Sequence, residues 1–206
     1  MRTAITLIMT IVSLILNSQE VKKYVGQFEN GNATYSYYEN SNYERVYQGP
    51  FSYTAKGFTL TGHFLDDLRT GQWKAISIKE NPYDSKSTIT EISTATYKEG
   101  KLNGPAVLTI TDDKTKKRLT FISATYSMNT AIGHYSVERN DVNHKFSCRL
   151  QLNSAGFIDS TLIVSYSDNG ATMELIQRYK QGLLCFQLLR NLNTGEIKRK
   201  NDFSQI

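Results

Sequence analysis

The residues of this chain that could do chemistry are few and poorly placed for it. Three histidines, His63, His134 and His144, stand in no His-x-His or His-Glu-x-x-His spacing that would bring two imidazoles onto one metal. A histidine satisfied within a strand is the simpler reading of each. His144 and Cys148 have the same parity, but four residues of extended chain separate them by roughly 13 Å, too far for a base to activate a thiol. The acidic pairs Asp66-Asp67 and Asp112-Asp113 offer carboxylates for acid–base work or calcium. Both fall where the pattern predicts turns, and aspartate is favoured there because its side chain bonds the local backbone. The chain holds no Gly-x-Ser-x-Gly elbow, glycine-rich phosphate loop or EF-hand loop. The expectation is a protein that is not an enzyme, with no catalytic, metal-binding or cofactor-binding residues.

Recognition chemistry is concentrated instead in aromatic side chains. Tyr35, Tyr37, Tyr38, Tyr43, Tyr47 and Tyr53 crowd one short segment. A tyrosine presents a flat apolar face with a polar tip, which suits a sugar ring or a lipid headgroup. Tyr37, Tyr43 and Tyr47 are therefore the candidate ligand surface. Tyrosine is also an ordinary strand residue, and cross-strand packing is the competing reading.

The elements that would position these residues are strands. Thirteen Tyr and nine Phe against one Trp and three Pro favour extended structure. From His144 to Asn153, Phe146, Cys148, Leu150 and Leu152 alternate with Lys145, Ser147, Arg149 and Gln151, the pattern of a half-buried antiparallel strand. Ser154-Ala-Gly156 then turns the chain into Phe157 to Ser167, and Asp168-Asn169-Gly170 turns it again, Asn-Gly being a strong hairpin signal. Further strands are predicted over Ala171 to Lys180 and Leu183 to Arg190, the latter short enough to read as a capping helix as well. Upstream the same logic gives Phe58 to Leu65, Gln72 to Lys79, Ser87 to Lys98, Pro105 to Thr111, Arg118 to Tyr126 and His134 to Arg139. Asn81-Pro82-Tyr83-Asp84-Ser85 is the longest clear loop.

Three stretches repeat one punctuation. They begin at Gly62, Ala95 and Ala124; an aromatic follows two residues on (Phe64, Tyr97, Tyr126), then a turn, then a glycine seven residues after the aromatic (Gly71, Gly104, Gly133). Such a unit cannot bury its own apolar face and must stack on its neighbours. Phe64, Trp73, Tyr97 and Tyr126 form the expected repeat core, extended by Val107 and Tyr135 into one continuous buried row.

Together with Tyr24-Val-Gly-Gln-Phe-Glu-Asn-Gly31, these units resemble MORN (membrane occupation and recognition nexus) repeats, in particular the short bacterial variant found in exported proteins and sometimes labelled antitoxin-like. The first-half match lies on Tyr24, Gly26, Phe28, Asn30 and Gly31, where the second-half glycine is missing; the Tyr97 and Tyr126 units lack the leading Gly-x. The resemblance implies an all-β fold: an elongated antiparallel meander of β-hairpin repeats forming a twisted single-layer sheet. It further implies a scaffold or binding surface, for protein assembly or membrane lipid.

The N-terminus predicts export. Met1-Arg2 precedes an uncharged apolar run, Ala4 to Leu16, of signal-peptide length and shorter than a bilayer span. Residues 1–19 are read as a cleaved signal peptide, cut near Ser18 or Gln19, and residues 20–206 as one β-repeat domain in the periplasm or outside the cell. Removing Arg2 leaves 23 basic against 19 acidic residues, or +4. The runs Lys116-Lys117-Arg118 and Lys198-Arg199-Lys200 border predicted turns and read as solvated surface, so nucleic acid is not an expected partner. Export permits a Cys148–Cys185 disulfide, but in a simple meander their strands are three apart and out of bridging range. The functional expectation is a non-enzymatic exported scaffold for a protein or cell-envelope partner; the alternative is a glycan- or lipid-binding surface. An open sheet further predicts either a covered edge or edge-to-edge association.

Overall fold

The computed structural model describes residues 20–140, 144–168, 170–180 and 182–203; the expected signal peptide and its cleavage site lie outside them. Fourteen strands follow one another: β1 (Lys22–Phe28), β2 (Gly31–Glu39), β3 (Arg45–Ala55), β4 (Phe58–Leu65) and β5 (Leu68–Asn81). Next come β6 (Asp84–Lys98), β7 (Lys101–Asp112), β8 (Arg118–Ser127), β9 (Thr130–Asn140) and β10 (His144–Leu152). The last are β11 (Ile158–Asp168), β12 (Ala171–Lys180), β13 (Leu183–Asn191) and β14 (Ile197–Asp202). They pair antiparallel in strict sequence order in one open sheet, and the described residues contain no helix.

The three sequence repeats are three hairpins with one register. The aromatic pairs with the residue five positions on: Phe64 with Arg69, Tyr97 with Leu102, Tyr126 with Ala131. Between them lie two-residue turns whose central residues are both at positive φ: Asp66-Asp67 (50° and 63°), Glu99-Gly100 (51° and 75°) and Met128-Asn129 (48° and 74°). This is the type I′ geometry whose twist matches the flanking strands. Beyond each turn the second strand bulges at the repeat glycine, which takes φ 63°, 119° and 67° at Gly71, Gly104 and Gly133. Each turn also docks on the strand before its own hairpin: Asp67 N–H donates to the Tyr47 carbonyl (3.0 Å), Gly100 N–H to that of Arg69 (3.0 Å) and Asn129 N–H to that of Leu102 (2.9 Å).

The pairing register sorts the side chains onto two faces. One carries Tyr24, Tyr35, Phe51 and Gly62 across β1 to β4, continuing through Trp73, Ala95, Ala106 and Ala124. The other carries Val25, Thr34, Ser52 and Thr61, then Lys74, Thr94, Val107 and Ser123. All the described buried residues, Ala33, Tyr35, Trp73, Asn81, Ser87, Asp112 and Ala124, lie on the first, aromatic face. Among the described residues no second layer packs on the sheet, so burial comes from neighbours on the same face.

Several expectations change. Val107 belongs to the opposite face from Trp73 and Tyr97, so it is not part of one buried row with them. The position equivalent to Trp73 and Tyr135 in the middle repeat is Ala106. The Asn81 to Ser85 loop shrinks to Pro82-Tyr83, because β5 runs on to Asn81 and β6 starts at Asp84. Asn81 is held there by donating Nδ2 hydrogen bonds to Ser87 (3.0 Å) and to Asp112 (2.6 Å). Lys198-Arg199-Lys200 lies within the terminal strand β14, every residue of which is exposed. Leu183 to Asn191 is a strand, not a helix. Cys148 and Cys185 are free, half-buried thiols on β10 and β13 with two strands between them.

Candidate functional site

Period-two alternation places Tyr24, Phe28, Tyr35, Tyr37, Tyr47 and Phe51 on the same face, followed by Tyr53, Phe58, Phe64, Trp73 and Tyr97. Of the aromatics within β1 to β6, Tyr38 alone points the other way, its hydroxyl donating to Asp66 Oδ1 at 2.9 Å. Ring contacts run unbroken across these strands: Tyr24 to Tyr35 (4.8 Å between centroids), Tyr35 to Phe51 (6.3 Å), Phe51 to Trp73 (5.8 Å), Trp73 to Tyr97 (6.4 Å). A parallel path goes from Tyr35 to Tyr47 (4.9 Å), Phe64 (5.2 Å) and Trp73 (4.9 Å). Edge-to-face and stacked pairs both occur, the arrangements that ring quadrupoles favour.

Trp73 is the centre of this cluster at 3% exposure. Its ring lies over Gly62, where a Cβ would stand 2.2 Å from Cδ2, and its Nε1 donates to the His63 carbonyl at 3.2 Å. Gly62 is thus glycine for close approach. Phe64, Tyr97, Tyr126 and Tyr135 share the aromatic face with Trp73 but are only half-buried. Past Tyr97 the level of Trp73 continues as Ala95, Ala106 and Ala124. The aromatic cluster therefore occupies the first six strands.

Two arginines cap it. The Arg45 guanidinium stands 4.9 Å from the Tyr37 ring centre and 5.7 Å from that of Tyr24, and donates to the Tyr35 hydroxyl at 3.1 Å. Arg69 lies 4.6 Å over Trp73 and 5.5 Å over Tyr97, donating to the Tyr97 hydroxyl at 3.4 Å. Such stacking costs a guanidinium little hydration and fixes its plane. The Tyr35 hydrogen bond holds Arg45 still more firmly protonated than usual, and burial raises the Tyr47 phenol.

Of the candidate ligand surface, Tyr37 and Tyr47 are directly paired across β2 and β3. Tyr47 is enclosed by Tyr35 and Phe64, so it serves packing rather than an open platform. Tyr43 sits apart in the β2–β3 turn, 86% exposed and at φ 63°. Sequence reading passed over Arg45 and Arg69. Their signal was parity: Arg45 precedes Tyr47 by two residues and Arg69 precedes Trp73 by four, so alternation sets both cations on the aromatic face.

Other polar groups serve turns. Asp112 accepts from the Thr115 N–H (2.6 Å) and hydroxyl (2.9 Å), and Asp113 accepts from the hydroxyls of Thr88 (2.6 Å) and Thr90 (2.7 Å). These bonds depress both carboxyls, led at Asp112 by the Thr115 N–H and at Asp113 by the Thr88 hydroxyl. Asp67 Oδ1 accepts from Tyr47 N–H at 2.7 Å, fixing the backbone behind the Tyr47 ring. His63 and His134 are exposed on the face opposite Trp73, while His144 stacks on Tyr166 at 6.4 Å. Among the described residues no three His, Cys, Asp or Glu side chains gather where they could hold a metal. Protein-family models return no match for the chain, nor does a search of the curated proteins.

Proposed function

We propose that this protein is a non-enzymatic, exported β-repeat scaffold whose aromatic face, over β1 to β6, receives a protein or cell-envelope partner. The observation that carries the reading is an aromatic face with no second layer on it among the described residues, on which two stacked arginines have unspent hydrogen-bond donors. Aromatic residues and arginine are the types enriched where interfaces bind most tightly. The docked hairpins supply the rigidity that a binding surface needs, since Asp67 and Gly100 hold the backbones of Tyr47 and Arg69 from the next repeat. The MORN-like unit supports the same reading by analogy, although a fold alone does not specify a function.

A photo-crosslinking residue placed at Tyr37 or Tyr97, and in parallel at Thr61 or Thr94 on the opposite face, tests this in a native envelope fraction. The expected outcome is a discrete, saturable adduct from the aromatic face only. Equal labelling from both faces, or none at any position, contradicts it. A second reading, a glycan- or lipid-binding surface, is favoured by Tyr43, whose ring is presented to solvent two residues before Arg45.

A further inference from the structure

Arg45 and Arg69 are one device built twice. Each leaves a turn at the same end of the sheet, lays its guanidinium over two aromatic rings and donates to a tyrosine hydroxyl. Neither has a carboxylate partner among the described residues, whereas Arg118 and Arg149 both reach Glu138 and Arg190 reaches Glu174. Stacking holds the planar fork still while most of its N–H groups remain free, the arrangement that recognises a carboxylate in bidentate fashion at small entropic cost. Two strand steps and about four residues of extended chain put the two Cα positions on the order of 15 Å apart.

Tyr43 adds an independent feature. A bulky residue at positive φ is uncommon, and this one is held by its own N–H donating to the Asn40 carbonyl, with Asn40 Oδ1 accepting from the N–H groups of Asn42 and Glu44. The turn thereby exposes a ring that packs on no other, two residues from Arg45. An exposed flat ring two residues from a guanidinium without a carboxylate partner complements a sugar that carries an acid: the C–H face lies on the ring and the carboxylate on the fork.

We propose that the aromatic face from Arg45 to Arg69, together with the adjoining turn at Tyr43, binds an anionic polysaccharide, with uronate carboxylates on Arg45 and Arg69 and a sugar ring stacked on Tyr43. This rests on the reading of that face as the partner surface and names the partner's class. A bilayer fits less well, because Tyr35 and Trp73 are recessed at 3% exposure while the protruding apolar residues Val25 (70%) and Ile78 (52%) lie on the opposite face. An acidic protein would need about 800 Å² of complementary surface with an apolar centre. Between Tyr43 and Arg69 the exposed elements are one ring and two cations, with the Glu39 carboxylate opposite Arg45 already bonded to Lys22 at 3.0 Å, the footprint of a slender chain.

Titration calorimetry of the full chain with a galacturonate oligosaccharide tests the proposal, using its methyl ester, a poly-glutamate peptide and phosphatidylglycerol vesicles for comparison. The acid form is expected to bind, the methyl ester to bind at least about tenfold more weakly, and the peptide and vesicles to fall well behind. Arg45→Gln and Arg69→Gln are each expected to weaken binding about tenfold, and Arg45→Lys nearly as much, since an ammonium lacks the fork. Tyr43→Ala should also weaken it, with the far-ultraviolet spectrum of each variant unchanged. The ester comparison uses the unaltered protein, so it decides even if a variant fails to fold. No heat from the acid form, equal affinity for acid and ester, or equal affinity for peptide or vesicles overturns the proposal. An aromatic-face crosslink without saccharide binding sinks this inference and leaves the scaffold reading standing; absence of both sinks the two together.

Discussion

Trp73 and Gly62 act as one steric unit, because the indole occupies the space that any Cβ at Gly62 would need. Truncating Trp73 to Ala removes the centre of the ring network and should cost roughly 3 to 5 kcal/mol, read from urea unfolding. Gly62→Ala should cost about 1 to 3 kcal/mol by overpacking. The two changes should be strongly non-additive, with Gly62→Ala nearly silent once Trp73 is Ala; additive losses would show that the contact is not what constrains Gly62. Asp112 makes a prediction of opposite origin. Its carboxyl is held below the usual range by Thr115, so the stability it contributes is complete above the ordinary aspartate pKa of about 3.9 and is lost as pH falls through the lower folded value. Asp112→Asn should lower the urea midpoint at neutral pH and flatten its decline in acid. An unchanged acid slope would show that Asp112 is not a source of it.

The hairpin is the unit in which local and long-range terms meet. Its type I′ turn is encoded locally, but two of the three turns place Glu99 and Met128 where Asn would sit with less strain. Glu99→Asn, making Asn-Gly, is expected to stabilise the fold by roughly 0.5 to 1 kcal/mol, seen as a higher melting temperature. Asn129 does a second job, since its Oδ1 accepts from Leu102 N–H at 2.7 Å while its own N–H bonds the Leu102 carbonyl. Asn129→Ala should cost about 1 to 2 kcal/mol through the lost acceptor and the strained backbone. A loss no larger than that of a typical exposed substitution would mean that the docking bond contributes nothing.

At the scale of the molecule, strands touch their sequence neighbours and the sheet behaves as a one-dimensional array. Hydrogen exchange should accordingly show the slowest amides in β4 to β8 and progressively faster ones toward β1 and β14, where pairing is one-sided; uniform protection would contradict this nearest-neighbour picture. Among the described residues both outer edges are open, so the expected covering segment is not found among them; both edges are instead basic, with Lys22 and Lys23 on β1 and Lys198, Arg199 and Lys200 on β14. Like charge opposes head-to-tail strand pairing between copies. Replacing Lys198 and Lys200 with Glu is expected to promote concentration-dependent self-association in sedimentation velocity. A variant that sediments as the parent does would show that charge is not what guards the edge.

The local terms were legible in the residues from Phe58 to Arg190: which segments are extended, where they turn, and that successive strands pair. Alternation and turn chemistry act within a few residues, and so Phe58–Leu65 and Ala171–Lys180 are read at their observed limits. β14 escaped because an edge strand of exposed polar residues carries no apolar alternation, only a backbone ladder to β13. Val107 was misplaced because a one-residue slip in the repeat register exchanges the two faces of a sheet. Tertiary structure alone decided how far the aromatic row extends, that Asn81 reaches Asp112 across 31 residues, and that Arg45 lies on rings supplied by β1 and β2 and Arg69 on the Tyr97 ring supplied by β6. Those contacts depend on bulges and on cross-strand register, which are set by the strands packing together and by no short stretch of sequence.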